Sequence, residues 1–583
     1  MAMNSSTKGP WMTAMIFCLV LAGFATNSHA QYAAPIIYKQ TISQIVLRNQ
    51  VMGWPAGNET SEWRNFEGVV ASADGSKVFF SVCEYYSGQC RPFVVNSNGT
   101  GVQDVSAIFP ANLVSTWWGW GNMVINDDGS EVFIEAGLDD GKDYIQYLNT
   151  STMATGQAVS QWWLAGYSDW FTANSSASRL YTGKHDWGYS DGLGRNVRGL
   201  GYTDRNGLAV QYMDIFTLPC FGLCNNLNAL WFMGSSVQGD HSFFSWVSYY
   251  EANGDPDNRS AAWHTTLAGP AQKLTAEDHL WVDGGSWRGV TTADGSSAVY
   301  QYQHRSGDAK EVHVVDVATG TERFVTSTTD LNPLTTFITR DGHYLFALGG
   351  NGEWGYHYNT LYDLQTGGAR DSWSYHIPWP RNYSNITADN RYYFVTREEA
   401  LYRVDTQGGE FSKAPNVNSI VFSEPYLWHD DSAQIGITVD VSDAQGIANI
   451  QWVRLEVLVE DLESPDIYMP RKPLAFPFGD SGWTVLYDDG SHGDVSAGDG
   501  VFTHDAIATR KGDYDGWNTW FSNFTLPHEV GIRIVVKDTD GNYTTADTTL
   551  WITTSDEDPT HIFSDDFESG DCTEWSATVG EVP

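Results

Sequence analysis

One short turn recurs along this chain and limits what it can become. VVASADGSKVFFSV around Asp74-Gly75 has near copies in MVINDDGSEVFIEA around Asp128-Gly129, VTTADGSSAVYQYQ around Asp294-Gly295 and FITRDGHYLFALGG around Asp341-Gly342. Weaker copies are FTANSSASRLYTGK near Ser175, MGSSVQGDHSFFSW at Gly239-Asp240 and NITADNRYYFVTRE at Asp389-Asn390, which makes seven. The turn positions (74, 128, 175, 239, 294, 341, 389) stand 47 to 64 residues apart, room for four short strands and their loops. Each copy reads as a β-hairpin: a strand enters, Asp-Gly supplies a tight turn with positive φ, and an alternating apolar strand leaves. A single hairpin cannot bury both faces, so the repeats must stack around an axis. The repeat therefore predicts an all-β chain: an about seven-bladed β-propeller over residues 31–415, with the extended segment 36–49 completing the last blade.

From about Val417 the repeat stops. IGITVDVSD, VRLEVLVED and GIRIVVKDTDGNY alternate like strands of a sandwich, and predict an immunoglobulin-like β-sandwich over 416–555. Within it, LYDDGSHGDVSAGDGVFT carries Asp488, Asp489, Asp494 and Asp499 among turn-forming glycines. Closely spaced oxygen donors suit a structural Ca²⁺, although no Glu closes the loop as in an EF-hand; Asp-Gly turn-making is the competing reading. An acidic linker and a tail carrying IFSDDFESGDCTEWSATVG occupy 556–583.

Three resemblances follow from these motifs. The Asp-Gly copies over roughly 55–410 resemble the repeats of TolB-like and WD40-like propellers. The DDG…GD…AGDGVFT stretch resembles the choice-of-anchor-X-type immunoglobulin-like domains of exported bacterial proteins. The FESGD…WS tail is similar to the C-terminal motif of many secreted bacterial proteins, which implies surface retention or sorting.

The first thirty residues read as a signal peptide: Lys8, an apolar run from Trp11 to Ala25, and Ser28-His29-Ala30 before Gln31. The expectation is a secreted protein, extracellular or retained at the cell surface, with no transmembrane segment and acting as a monomer. Against 32 Lys and Arg stand 71 Asp and Glu, a formal net charge of −39; nucleic acid and anionic membrane surfaces are excluded as general partners. Cys83 and Cys90 bracket EYYSGQ, and Cys220 and Cys224 bracket FGL, which predicts two short-range disulfides in an oxidising compartment.

Aromatic residues precede most of the turns: Trp63, Trp120, Trp170, Trp231, Trp287 and Trp379, with Phe337 in the remaining repeat. Placed near one mouth of a central channel, they stack on sugar faces or wedge between blades. Arg64, Arg288 and Arg381 follow the aromatic in three repeats. A guanidinium fork binds carboxylate or sulfate, so a polymeric, anionic polysaccharide is the sharper ligand class; pairing with the chain's own acids is the bland alternative. GKHDWGYSDGLGRNVRGLGY gathers His185, Tyr189 and Arg195. Uronate β-elimination needs a base and a carboxylate neutraliser, which makes these three the candidate catalytic residues of a polysaccharide lyase; a long solvated inter-strand loop is the simplest account of them. No H-E-x-x-H or P-loop occurs. The leading expectation is a secreted recognition propeller for polysaccharide. A lyase and an extracellular protein-interaction scaffold are the alternatives.

Overall fold

A computed structural model describes residues 31–53, 64–84, 90–106, 113–115, 123–138, 143–159, 170–173, 176, 178–184, 199–204, 211–212, 229–236, 241–248, 259–266, 271–275, 281–283, 290–303, 310–328, 335–349, 358–367, 369–371, 385–397, 400–407, 414–428, 434–458, 484–507 and 527–553. Among the described residues, apart from one short helix at Arg48–Met52 and a 3₁₀ turn at Ile447–Asn449, the regular structure is strand.

Six antiparallel sheets follow one another along the chain, beginning with Arg64–Ala71, Lys77–Glu84, Cys90–Asn96 and Gln103–Asp104 as blade 1. Blades 2 to 6 span 113–159, 170–212, 229–273, 281–328 and 335–371. Blade 7 is built from Tyr392–Arg397 and Ala400–Asp405, with Ile386 bridging Tyr393 on the inner side. Its outer strand comes from the other end of the chain: Tyr38–Leu47 lies antiparallel to Ala400–Asp405. The protein is thus a seven-bladed β-propeller whose ring is closed by an N-terminal strand.

Blade 1 is buried on both faces. Val70, Phe79 and Val94 of blade 1 pack on Met123, Ile125 and Val132 of blade 2; Phe66, Val78 and Phe80 share a core on the other side with Phe394 and Leu401 of blade 7. Burying each such side chain stabilises the ring by about 1.5–3 kcal/mol, which is why the strands read as apolar runs.

The turns carry a second layer of organisation. Ser72 Oγ accepts the N–H of Lys77 at 3.1 Å, while Asp74 Oδ1 accepts the N–H of Ser76 at 2.9 Å. Thr292/Asp294, Thr339/Asp341 and Thr387/Asp389 repeat both bonds in blades 5, 6 and 7, and Asn126/Asp128 does so in blade 2. Burial pushes the Asp74 carboxyl up, but the bonds from Ser72 and Ser76 outweigh it and hold it below the usual carboxylate range.

Neighbouring turns also bond to each other. Ala73 N–H donates to the Asp127 carbonyl (2.9 Å), Ala293 to Arg340 (2.7 Å) and Ala388 to Ala73 (2.7 Å). This close approach explains the glycines: Gly129 has φ +69°, and a Cβ there would meet Ser72 Cβ at 2.9 Å. Blade 7 puts Asn390 at that position with φ 59°, and its amide donates to Asp341 of blade 6 at 2.6 Å. Asn tolerates the left-handed region and here adds an inter-blade bond.

Beyond residue 414 two sheets face each other. One runs Tyr32–Ala34, Asn416–Phe422, Ile435–Ser442, Val501–Ile507; the other runs Tyr38–Leu47, Tyr543–Thr553, His528–Asp538, Ile450–Leu458, Thr484–Leu486. Ile420, Ile437 and Phe502 from the first meet Val453, Ile534 and Ile552 from the second in one core. Residues 38–42 of the N-terminal strand pair with 543–547 of this sandwich, and residues 41–47 pair with blade 7. Thr41 and Ile42 pair on both edges, and a bulge between Gln44 and Val46 falls within the blade 7 stretch. The segment expected to finish the last blade therefore does so with its second half only, and joins ring and sandwich into one eight-stranded sheet.

The 538–543 turn of the sandwich docks on this strand. Asn542 Oδ1 accepts the N–H of Gln44 at 3.1 Å, and Asn542 in turn donates its N–H and its side-chain amide to Asp538 at 2.7 and 2.8 Å. Burial pushes the Asp538 carboxyl up to about 6. Between the ordinary value near 4 and 6, the folded chain then holds a proton that the unfolded chain has lost. Stability from this group is fully present below about pH 4, falls as pH rises to 6, and is flat above. Denaturant unfolding should show Asp538→Asn gaining on the parent by up to about 2 kcal/mol between pH 4 and 7. A pH-independent difference would remove Asp538 as the cause.

Candidate functional site

Two regions hold the described residues that the sequence singles out: the end of the ring where the inner strands begin, and the acidic loop of the sandwich. At the first, Arg64 opens the inner strand of blade 1 opposite Glu84, at the far end from the Ser72–Lys77 turn. Trp170 opens the inner strand of blade 3 opposite Gly183, whereas Trp231 is the third residue of Ala229–Ser235 and faces Ser245. Phe337, which takes the aromatic place in blade 6, is fully buried and stacks on Phe346 with centroids 4.6 Å apart. In that blade the aromatic is core. Trp63, Trp120, Trp287, Arg288, Trp379 and Arg381 lie outside the described residues, as do His185, Tyr189, Arg195, Cys220 and Cys224.

Cys83 and Cys90 are direct partners in the antiparallel register of blade 1. Ser97 N–H bonds the Ser76 carbonyl at 3.1 Å, which makes that pair hydrogen-bonded. Alternating along the unbroken register, 83 and 90 form a non-hydrogen-bonded pair, where Cα atoms are about 4.5 Å apart, inside the range a disulfide spans.

The acidic loop connects Thr484–Leu486 to Val501–Ile507 and is pinched at its base by the Tyr487–Thr503 bridge. Gly490, Gly493, Gly498 and Gly500 all adopt positive φ, folding the chain back on itself. Carboxylate oxygens of Asp488, Asp494 and Asp499 come within 4.8 Å of one another. Asp489, the fourth expected ligand, is not in this group. Its carboxylate caps a local turn, accepting the N–H and hydroxyl of Ser491, and the Ser491 hydroxyl bond holds it below the usual range.

Backbone N–H groups already serve part of this cluster. Asp488 accepts from Gly498 (2.6 Å), Asp499 (3.2 Å) and Gly500 (3.1 Å), Asp494 from Gly490 (2.6 Å) and Ser496 (3.1 Å), and Asp499 from Val501 (3.0 Å). A carboxylate offers about four lone-pair sites, so acceptor capacity remains on each. An all-oxygen, all-anionic donor set is the chemistry of a hard cation.

Sequence reading missed one ionic contact that the ring creates. Arg340 and Asp127, each next to a turn Asp, meet between blades 6 and 2. Their separation in sequence gives no local signal for it.

No protein-family model matches the sequence, and no curated protein does. Among solved structures, an oligogalacturonate lyase in complex with manganese superposes with a TM-score of 0.42 at 13% identity, covering 64% of this chain and 95% of that one. TolB from Acinetobacter baumannii gives 0.32 at 11% identity, over 62% of this chain and 67% of that one. The β-propeller domain of the trilobed protease from Pyrococcus furiosus gives 0.35 at 10% identity, over 62% and 93%. These are likenesses of propeller to propeller.

Among the described residues no helix is long and apolar enough to cross a membrane.

Proposed function

We propose that the protein is an exported recognition module whose propeller binds an anionic polysaccharide at the mouth where the inner strands begin. The observation that carries this reading is the placement of Arg64 at that end of blade 1, in a chain of net charge −39 where cations are scarce. Guanidinium groups there would take carboxylate or sulfate, and neighbouring indole faces would take the sugar C–H surfaces. Asp488, Asp494 and Asp499 would hold a structural Ca²⁺ in the sandwich, which together with the tail serves display or retention. Cys83 and Cys90 would close a disulfide at the Arg64 end of blade 1.

The test is a binding screen of the mature chain against uronate-rich, sulfated and neutral polysaccharides, with calcium and with a chelator. Saturable binding to the anionic polymers is expected, weakened about tenfold or more in Arg64→Ala. Chelation should lower the melting temperature by a few degrees, as linkage to a bound ion requires. Rising ultraviolet absorbance from unsaturated uronate would move the protein to the lyase class; no binding to any glycan would leave the scaffold.

A further inference from the structure

Each Asp-Gly turn brings the residue before its Asp to the inner edge of the ring. The hydrogen bonds linking Ala73 to Asp127, Ala293 to Arg340 and Ala388 to Ala73 run between these residues of adjacent blades, so the described ones form two arcs of a collar around the axis, one over blades 7, 1 and 2 and one over blades 5 and 6. Among the described members of the collar, three are alanine and two are long and ionic. Those two meet: Arg340 Nη1 lies 2.5 Å from Asp127 Oδ1, with side-chain exposures of 7% and 32%.

The blade numbers make this contact informative. Blade 6 and blade 2 are separated by blades 7 and 1 on one side and by 3, 4 and 5 on the other. Two side chains from such positions can touch only by crossing the axis. Their backbones are anchored as well, since the Arg340 and Asp127 carbonyls accept the collar bonds at 2.7 and 2.9 Å. The result is a charge-neutral strut fixed at both ends. A buried guanidinium without its carboxylate is costly, so the strut does not open readily.

We infer that the central channel is blind at the Asp-Gly face: the Arg340–Asp127 strut closes it, ligand enters and leaves by the opposite mouth only, and a polymer is bound without being threaded through the ring. This rests on the glycan-binding reading above for its ligand, though not for the closure itself. It narrows that reading to chains held at one face, so a polymer with blocked ends is as good a ligand as a free one.

Two measurements decide the matter. The first is a thermal double-mutant cycle on the mature chain with Asp127→Asn, Arg340→Met and the pair together. Each single change should lower the melting temperature by a few degrees, and the double change should cost clearly less than their sum. Additive shifts would mean that the two side chains do not meet across the axis, and would overturn the closure. The second compares a uronate oligomer free at both ends with the same oligomer carrying a bulky protein at each end. Affinities within about twofold are expected; a loss of about tenfold or more on blocking the ends shows threading and overturns the inference. Absence of binding by either oligomer, with a coupled cycle, would sink the glycan reading and leave the closed floor standing.

Discussion

Removing residues 31–47 is expected to abolish the cooperative unfolding transition of propeller and sandwich together, rather than to trim one end of the molecule. Tyr32–Ala34 supplies an edge of one sandwich sheet, residues 38–42 pair with 543–547 in the other, and residues 41–47 are the outer strand of blade 7. Without them Ala400–Asp405 and Tyr543–Thr553 each expose a row of unpaired backbone groups, an invitation to aggregate. The packing argues the same way: Ile42, fully buried, sits in a core shared by Phe337, Phe346 and Tyr393 of the ring with Val535 and Tyr543 of the sandwich. The milder Ile42→Ala should cost about 2–5 kcal/mol and move both units as one transition in calorimetry. A shortened chain that keeps a normal melt for either unit would refute this coupling.

The second large effect concerns a buried ion pair. Arg533 and Asp547 face each other across the two longest strands of the sandwich, and the guanidinium grips the carboxylate at two points, 2.7 Å each. Arg533 is wholly inaccessible. Taking away one partner leaves a charge in the core, so Asp547→Ala or Arg533→Met should each destabilise by about 3–5 kcal/mol. Replacing both with apolar residues of similar volume should recover most of that loss, because the pair's own desolvation nearly offsets its attraction. Chemical denaturation of the three variants checks it; a cost under about 1 kcal/mol for Asp547→Ala would show the pair to be solvated. Asp547 also lies opposite Tyr38, and its carbonyl accepts the Ile37 N–H at 2.8 Å, so loss at this point should loosen the junction first.

What could be read in advance was local chemistry. Asp74-Gly75 and its copies announce themselves because a turn needs Asp for its side-chain acceptor and Gly for positive φ, whatever the rest of the chain does. The degenerate copy at Asp389-Asn390 was still legible, since Asn also enters the left-handed region. The convergence of Asp488, Asp494 and Asp499 was readable for the same reason: intervening glycines bend the loop back within a few residues. Asp489 differs because its neighbour Ser491 captures it in a turn of its own. Cys83 and Cys90 were paired from spacing alone, and the register sets them opposite each other.

Long-range partners were a different matter. Nothing near Arg340 points to Asp127, 213 residues away, and nothing in 38–47 shows that one strand divides its hydrogen bonds between two units. Such contacts depend on how many blades close the ring, a property of the whole chain. The aromatic positions fall between these cases. Periodicity marked Phe337, but only packing shows it stacked on Phe346 and spent on the core.

The dual-use strand also dictates a timetable. Residues 41–47 have a binding edge as soon as 400–405 exist, but residues 38–42 must wait for 543–547. As the chain emerges, the propeller can therefore close before the sandwich has an edge to offer. Closing a loop of some 500 residues costs only slightly more entropy than closing a short one, yet pairings this distant in sequence form slowly. The Gln44–Asn542 bond across the junction belongs to that later step, when the edge of the sandwich reaches a strand already held by blade 7.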